Sequence, residues 1–129
     1  MREEFRASFL RIHFNGEDKA QGIPLQEAIL EASRSQEMMF AIAYRGVEGF
    51  GSSARIHRQT ALSGARTAPV MMTIIDRPEK IARFMPLLDR TVEEGLITIS
   101  SVEVIRLTKD DPAPGNASIV ASTDRLGLS

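Results

Sequence analysis

The spacing of apolar residues in the first third of the chain predicts a strand followed by a helix. Residues 5–14 alternate in character as a half-buried strand does, with one side formed by Leu10, Ile12 and Phe14. After a polar stretch, apolar residues recur at helical spacing, in the order Leu25, Ala28, Ile29 and Ala32. Pro24 opens this segment, and a proline in the first turn costs little because its missing N–H would have no helical partner.

The middle of the chain contains two short apolar runs separated by a long loop. Residues 38–44 are almost uninterruptedly apolar, and so short a run suits a strand covered on both faces better than a helix. Residues 69–75 have the same character and predict the third strand. Between them, residues 46–68 contain four glycines and show no period. A loop of this length in so small a domain is more often functional than incidental.

The segment after the third strand predicts a second helix. Asp76, Pro78 and Glu79 provide a capping carboxylate, a proline at the first position and an acid in the first turn. A stripe at helical spacing follows and consists of Ile81, Phe84, Leu88 and Val92. We expect the helix to stop at Gly95, and to be kinked at Pro86 because an interior proline removes a backbone hydrogen bond.

The last third of the chain predicts a divided strand and a tail. Residues 96–99 and 102–107 are two short strand-like pieces, and periodicity is lost from residue 108 onward. We therefore predict one domain over residues 1–108 and a flexible tail over residues 109–129.

The order of these elements predicts an α+β fold of the ferredoxin-like βαββαβ type, with two helices on one face of an antiparallel four-stranded sheet. The second and third strands are apolar on both sides, so the other face of the sheet would expose a patch that monomers rarely tolerate. Self-association through this face, as a closed symmetric oligomer, is the simplest solution. The alternative is that the tail or the long loop folds over the sheet, and the polar character of the tail disfavours it.

Composition limits the classes of function. Sixteen Lys and Arg against seventeen Asp and Glu give a formal charge of −1, which disfavours nucleic-acid binding by the molecule as a whole. The absence of cysteine excludes disulfides, thiolate nucleophiles and thiolate metal sites. From the charged start we expect no signal peptide, and no apolar run approaches the roughly 20 residues of a membrane helix. We expect a soluble, cytoplasmic protein.

Residues suited to catalysis are scarce. The histidines are His13, which we expect to be a packed or interface side chain, and His57 in the long loop. A nucleophile needs an activating base within hydrogen-bond reach, and no G-x-S-x-G elbow or cluster of metal ligands is present. No metal, cofactor or catalytic residue is therefore predicted, and an enzyme that uses His57 and Glu48 as acid and base is the least favoured hypothesis.

The long loop concentrates positive charge. Counted from Arg45, it carries four arginines and one acid, Glu48, so its charge of +3 leaves −4 for the rest of the chain. Glycines at 46, 49 and 51 expose backbone N–H groups, and arginine forks suit phosphate or carboxylate. The pattern is neither G-x-G-x-x-G nor a Walker loop, so spacing alone supports an anion site and a merely flexible hairpin loop equally well.

These residues resemble a known family. The order of elements, Gly49-Phe50-Gly51 at the end of the second strand, the loop that follows and residues 104–107 resemble the PII signalling protein superfamily. Within it, the chain resembles the PII-like family called domain of unknown function 190, in the runs at residues 10–12, 24–25, 45–51, 55–57 and 86–89. The similarity extends over residues 5–109 and is most specific in the glycine loop and in the Arg-Ile-His that follows it.

The resemblance implies a cytoplasmic homotrimer that binds adenine nucleotides in clefts between subunits, beside the base of the long loop. The loop would then change conformation and dock on a target, such as a membrane transporter, a channel or an enzyme. The glycine element corresponds to residues 49–51 and the basic residue of the last strand to Arg106. Residues 93–98 are shorter than the phosphate loop of classical PII proteins and contain no basic residue, which favours a smaller anion or a monophosphate nucleotide.

We therefore predict a non-enzymatic, trimeric PII-like regulator of a partner protein, whose effector is a small anion, an adenine nucleotide. The predicted ligand-binding residues are Arg45, Gly46, Glu48, Gly49, Phe50, Gly51, Arg55, His57 and Arg106. A constitutive protein-interaction adaptor with no small-molecule ligand is the alternative.

Overall fold

The chain forms a four-stranded antiparallel sheet with two helices. A computed structural model describes residues 1–50, 56–58 and 68–109, with 48–50 and 56–58 described by their backbone alone. The elements in chain order are β1 (Arg2–Asn15), β2 (Lys19–Ala20), β3 (Ile23–Pro24), α1 (Leu25–Ser35), β4 (Phe40–Arg45), β5 (Glu48–Phe50), β6 (Ile56–Arg58), β7 (Pro69–Asp76), α2 (Pro78–Thr91) and β8 (Leu96–Leu107).

The large sheet has the strand order β4-β7-β1-β8. β7 lies antiparallel to both β1 and β4, and its Ile74 is opposite Leu10 on one side and Ala41 on the other. Strands that are distant along the chain are thus neighbours in the sheet, as the ferredoxin-like arrangement requires. The predicted α+β fold class is confirmed.

Both helices pack on the same face of the sheet. The buried cluster joins Leu25 and Ile29 of α1 to a set of sheet and α2 residues, namely Leu10, Ile12, Phe14, Val70, Met72, Ile74, Ile81, Phe84 and Leu88. Helical spacing aligns the helix members, and alternation aligns those of the sheet. Removing each large side chain from water contributes about 1.5–3 kcal/mol.

The strands at the chain ends are longer than the sequence pattern indicated. β1 begins at Arg2 rather than residue 5, and the N–H of Thr108 donates to the carbonyl of Met1 at 3.0 Å. The prediction of two pieces in the last strand is wrong, because β8 runs unbroken from Leu96 to Leu107. Its polar middle stays extended, and the hydroxyl of Ser101 accepts a hydrogen bond from Arg6 at 3.2 Å.

Pro24 is the N-cap of α1 and thus lies next to its first turn, as predicted. The end of α2 differs from the prediction. α2 ends at Thr91, because Val92 adopts an extended conformation with φ −93° and ψ 109°, and so the predicted end at Gly95 is wrong. The helix continues through Pro86.

Asp76 does not act as the predicted cap of α2. The N-cap is Arg77, and it makes no side-chain capping bond. The Asp76 carboxylate, 4% exposed, instead accepts the N–H groups of Met39 at 3.0 Å and Arg77 at 2.7 Å. Lys80 approaches it at 3.5 Å. The acid therefore ties the end of β7 to the segment that leads into β4.

The chain divides into two compact units, one of Met1–Phe5 with Glu103–Ser129 and one of Arg6–Val102 that contains the core. Residues 110–129 of the predicted tail lie outside the described residues, so the domain boundary at residue 108 stays a prediction. In the described part of the chain, neither helix has the length and hydropathy needed to cross a membrane.

Candidate functional site

The candidate site begins at the end of β4. Arg45 is the last residue of this strand, lies opposite Val70 of β7 and has an exposed side chain. The next residue leaves the sheet, with the Gly46 N–H donating to the carbonyl of Pro69 at 2.7 Å. This bond fixes the point at which the long loop departs from the sheet.

Gly46 is required here because the backbone approaches Pro69 closely. A Cβ at Gly46 would lie 2.9 Å from Cγ of the Pro69 ring and 3.6 Å from its carbonyl oxygen. The shorter distance is below ordinary van der Waals contact, and a proline ring has little freedom to move away. The glycine therefore sets how closely the loop base and β7 approach one another.

A hairpin lies within the segment that the sequence predicted to be an irregular loop. β5 and β6 pair antiparallel, with Glu48 opposite Arg58, Gly49 opposite His57 and Phe50 opposite Ile56. Six of the positions that carry the predicted chemistry or flank it thus lie on two paired strands. In this register Glu48 lies opposite Arg58. Glu48 and His57, the two residues of the enzyme hypothesis, are therefore not opposite one another. Gly51 and Arg55 lie outside the described residues.

Arg106 lies on β8, which is last in the strand order, whereas β4 is first. Its Nη1 is 4.0 Å from Oε1 of Glu3, and both side chains are partly exposed. The predicted counter-charge for an effector therefore has a carboxylate of the same chain beside it. Glu3 could not be predicted beside Arg106, because the sequence pattern placed residues 1–4 outside the first strand, whereas β1 begins at Arg2.

The face of the sheet opposite the helices carries a second group of residues. This open face consists of Phe9, Arg11 and His13 of β1, Met71, Thr73 and Ile75 of β7, and Phe40, Ile42 and Tyr44 of β4. On β4 the three side chains are 43%, 36% and 47% exposed in that order, so one side of this strand is uncovered in the single chain. The face is exposed along β4, whereas Thr73 of β7 is 4% exposed and His13 of β1 is half-buried. The alternative that the long loop or the tail folds over the sheet falls on residues outside those described.

Arg11 and His13 interrupt the apolar residues of the open face. Arg11 is exposed, and its guanidinium carbon lies 4.8 Å from the centre of the Phe9 ring. The sequence analysis placed Arg11 on this side of the strand without assigning it a role. Among the described residues, no group of three His, Asp or Glu is arranged to hold a metal ion.

Solved structures with the same fold define the class of protein. CPII, a nitrogen regulatory PII-like protein from Thiomonas intermedia K12 bound to ADP, AMP and bicarbonate, superimposes with a TM-score of 0.57 over 79% of this chain and 91% of its own, at 14% identity. A PII-like signalling protein from Thermus thermophilus, TTHA0516, gives a TM-score of 0.56 over 81% and 93% of the two chains, at 10% identity. The chain therefore has a PII-like fold.

The family follows from the sequence comparisons. The model of the DUF190 family, described as an uncharacterized ACR, matches residues 7–104. A UPF0166 protein of Aquifex aeolicus (strain VF5) is 30% identical over 102 residues, which cover 79% of this chain and 96% of that protein. The chain belongs to the DUF190 family, and the resemblance found from the glycine loop is confirmed.

Proposed function

We propose that this protein is a non-catalytic, cytoplasmic PII-like regulator that binds an adenine nucleotide at the base of the long loop and controls a partner protein. The observation that carries the proposal is the junction of β4 with the β5–β6 hairpin, where Arg45 and a tightly packed glycine lead into paired strands. The PII-like protein CPII, which shares the fold, is described with ADP and AMP bound.

The hydrogen bonds of the junction guide which groups we propose for binding the effector. The N–H of Gly46 is already used by the carbonyl of Pro69, and a backbone donor forms one strong bond. Within residues 47–51, the backbone N–H groups that the pairing of β5 with β6 does not use are therefore proposed to bind the phosphate. Arg45 and Arg55 supply bidentate charge, which strengthens each contact roughly twofold over a neutral hydrogen bond.

The sheet order supports a site shared between copies. Arg45 and Arg106 lie on β4 and β8, the two edge strands of the sheet. We propose that an effector held by both arginines lies between neighbouring subunits of a trimer, whose open faces cover one another. Binding would order the long loop, and a transporter or channel would recognise the ordered form; the cost of ordering implies modest affinity.

Isothermal titration calorimetry with AMP, ADP and ATP tests the proposal. Arg55→Ala is expected to weaken binding at least about tenfold, the effect of losing one charge-assisted contact. Gly51→Val is expected to weaken binding because a branched side chain hinders close approach of the backbone to the phosphate. Arg83→Ala, an exposed arginine on α2, is the matched control and should bind like the wild type. Absence of heat with every nucleotide at millimolar concentration, or equal affinities for all variants, would contradict the proposal.

Capture of the partner from cell extract separates regulation from a constitutive adaptor. A sensor's affinity for its partner must change when its effector binds, by the same factor as the partner changes effector affinity. We expect capture to differ between nucleotide-free and nucleotide-saturated protein. Equal capture in both states would support the adaptor.

A further inference from the structure

The long loop returns to the sheet at Ala68, which is completely buried. Because Pro69 follows, the peptide group between the two residues has no N–H, and the Ala68 carbonyl is its one polar group. A buried carbonyl needs a hydrogen-bond donor. The N–H of Gly16, in the turn after β1, supplies it at 3.0 Å. The returning end of the loop is thus anchored to the turn that joins β1 to the rest of the chain.

Pro69 links this anchor to the outgoing end of the loop. Its ring fixes φ at about −65°, so the Ala68 and Pro69 carbonyls have little freedom to turn relative to one another. The Pro69 carbonyl accepts the N–H of Gly46 at 2.7 Å, and its ring lies 2.9 Å from the place of a Cβ on Gly46. A shift of the Ala68 carbonyl would therefore displace Gly46 and the adjacent Arg45.

The turn that carries Gly16 is closed by Asp18. Its carboxylate oxygen Oδ2 accepts the N–H of Asn15 at 3.2 Å, and its own N–H donates to the Asn15 carbonyl at 2.9 Å. The side chain of Asn15 accepts the N–H of Glu17 at 3.3 Å. The Asp18 carbonyl accepts the N–H of Leu25, the first residue of α1, at 2.8 Å. Asp18 therefore holds the end of β1, the turn and the start of α1 together.

We propose that Asp18 is a positioning residue of the effector site. Its carboxylate holds the turn at residues 15–18, and the turn holds Gly46 and Arg45 in place through Gly16 and the Ala68–Pro69 segment. Asp18 does not contact the effector. Without its carboxylate the base of the loop is less ordered before binding, and ordering it lowers the affinity for the effector. This inference rests on the proposed function and adds a residue outside the loop on which effector affinity depends.

Isothermal titration calorimetry of the full chain with AMP, ADP and ATP tests the inference. Asp18→Ala is expected to weaken binding about threefold to tenfold, the net effect of one hydrogen bond. Asp18→Asn keeps an acceptor oxygen for the Asn15 N–H and should restore most of the affinity. Asp89→Ala removes a carboxylate from the exposed side of α2, and this matched control should bind like the wild type.

Hydrogen exchange measured by NMR gives a readout that a purely structural turn would not change. Coupling between two sites is reciprocal, so nucleotide should slow exchange of the Gly16 amide. The slowing should exceed that of the Gln36 amide, which is bonded to Ala32 at the far end of α1. In Asp18→Ala the Gly16 amide should exchange faster, and nucleotide should slow it less.

Thermal melts of each variant separate stability from affinity. If Asp18→Ala melts at a lower temperature but binds nucleotide like the wild type, the turn serves stability alone and the inference is overturned. Equal slowing of the Gly16 and Gln36 amides would overturn it as well. A wild type that binds no nucleotide overturns the proposed function and this inference together, whereas wild-type heat with an equal affinity of Asp18→Ala overturns only the inference.

Discussion

At Gly46 a single missing Cβ decides whether the base of the loop can pack against β7. A methyl group there would lie 2.9 Å from Cγ of Pro69, and neither the ring nor the hydrogen-bonded backbone can move far. We expect Gly46→Ala to lower the free energy of unfolding by about 1–3 kcal/mol, as overpacking does. Urea denaturation followed by circular dichroism measures this change.

The Pro69 ring provides the control for Gly46. With Pro69→Ala as background, the closest atom is removed and the Pro69 carbonyl oxygen remains at an ordinary 3.6 Å. The Gly46→Ala change should then cost clearly less, and a double-mutant cycle measures the coupling. An unchanged cost in both backgrounds would show that the clash with the ring is not the reason for glycine.

On the outer face of α1, Glu31 and Arg34 form a fully exposed ion pair. Arg34 Nε donates to Glu31 Oε2 at 3.0 Å, and this hydrogen bond holds the pKa of Glu31 below its usual value. Because the folded-state pKa is lowered, the contribution of the pair is present above the unfolded pKa and is lost as pH falls through the folded one. Arg34→Gln should raise the pKa of Glu31 in an NMR titration, while Arg90→Gln on α2 should leave it unchanged. An equal pKa in the wild type and Arg34→Gln would show that the pair does not form in solution.

At the scale of elements, Asp76 joins β7, α2 and the turn before β4. Its buried carboxylate accepts the Met39 N–H and faces Lys80, so Asp76→Ala leaves a donor without its acceptor. We expect this variant to lose about 1–3 kcal/mol of unfolding free energy, the cost of an unsatisfied buried group. Asp89→Ala, on the exposed side of α2, should change stability little. Equal losses in thermal or urea denaturation would contradict the linking role.

Local patterns predicted the elements better than their ends. The stripe that includes Ile81 and Phe84 is a signal within one helix, and it identified α2 correctly. The end of α2 was missed because the conformation of Val92 depends on a strand that is distant along the chain. Gly95 lies so close to β1 that an added Cβ would be 2.6 Å from the carbonyl oxygen of His13. Asp76 likewise looks like a cap in sequence, although its partner Met39 lies 37 positions away.

At the scale of the whole molecule, the sequence identified the family and the base of the long loop. It did not predict the surroundings of Arg106, the candidate site residue on β8. Arg45 and Gly46 are adjacent in sequence, so their neighbouring positions at the end of β4 could be predicted. The place of Arg106 depends on strand order, and the carboxylate of Glu3 beside it depends on the extension of β1, neither of which short-range periodicity encodes. The β5–β6 hairpin was missed because three-residue strands are too short to show alternation.

The open face of the sheet also allows a prediction about the association of whole molecules. Ile42 lies opposite Thr73 at the centre of this face, so a lysine there places a charge where neighbouring copies are proposed to meet. Ile42→Lys should abolish association in sedimentation experiments and remove any dependence of the melting temperature on protein concentration. The chain should still fold, because the side chain is 36% exposed and lies outside the helix-covered core.

Leu30→Lys is the matched control, since Leu30 is 39% exposed but lies on the outer side of α1. This variant should associate like the wild type, because it adds the same charge to a similarly exposed apolar position on the helix side of the molecule. If both variants dissociate, the added positive charge alone accounts for the effect. If neither does, copies meet through another surface, and the exposed rings of β4 require a different cover. Dissociation of Ile42→Lys alone assigns the contact to the open face of the sheet.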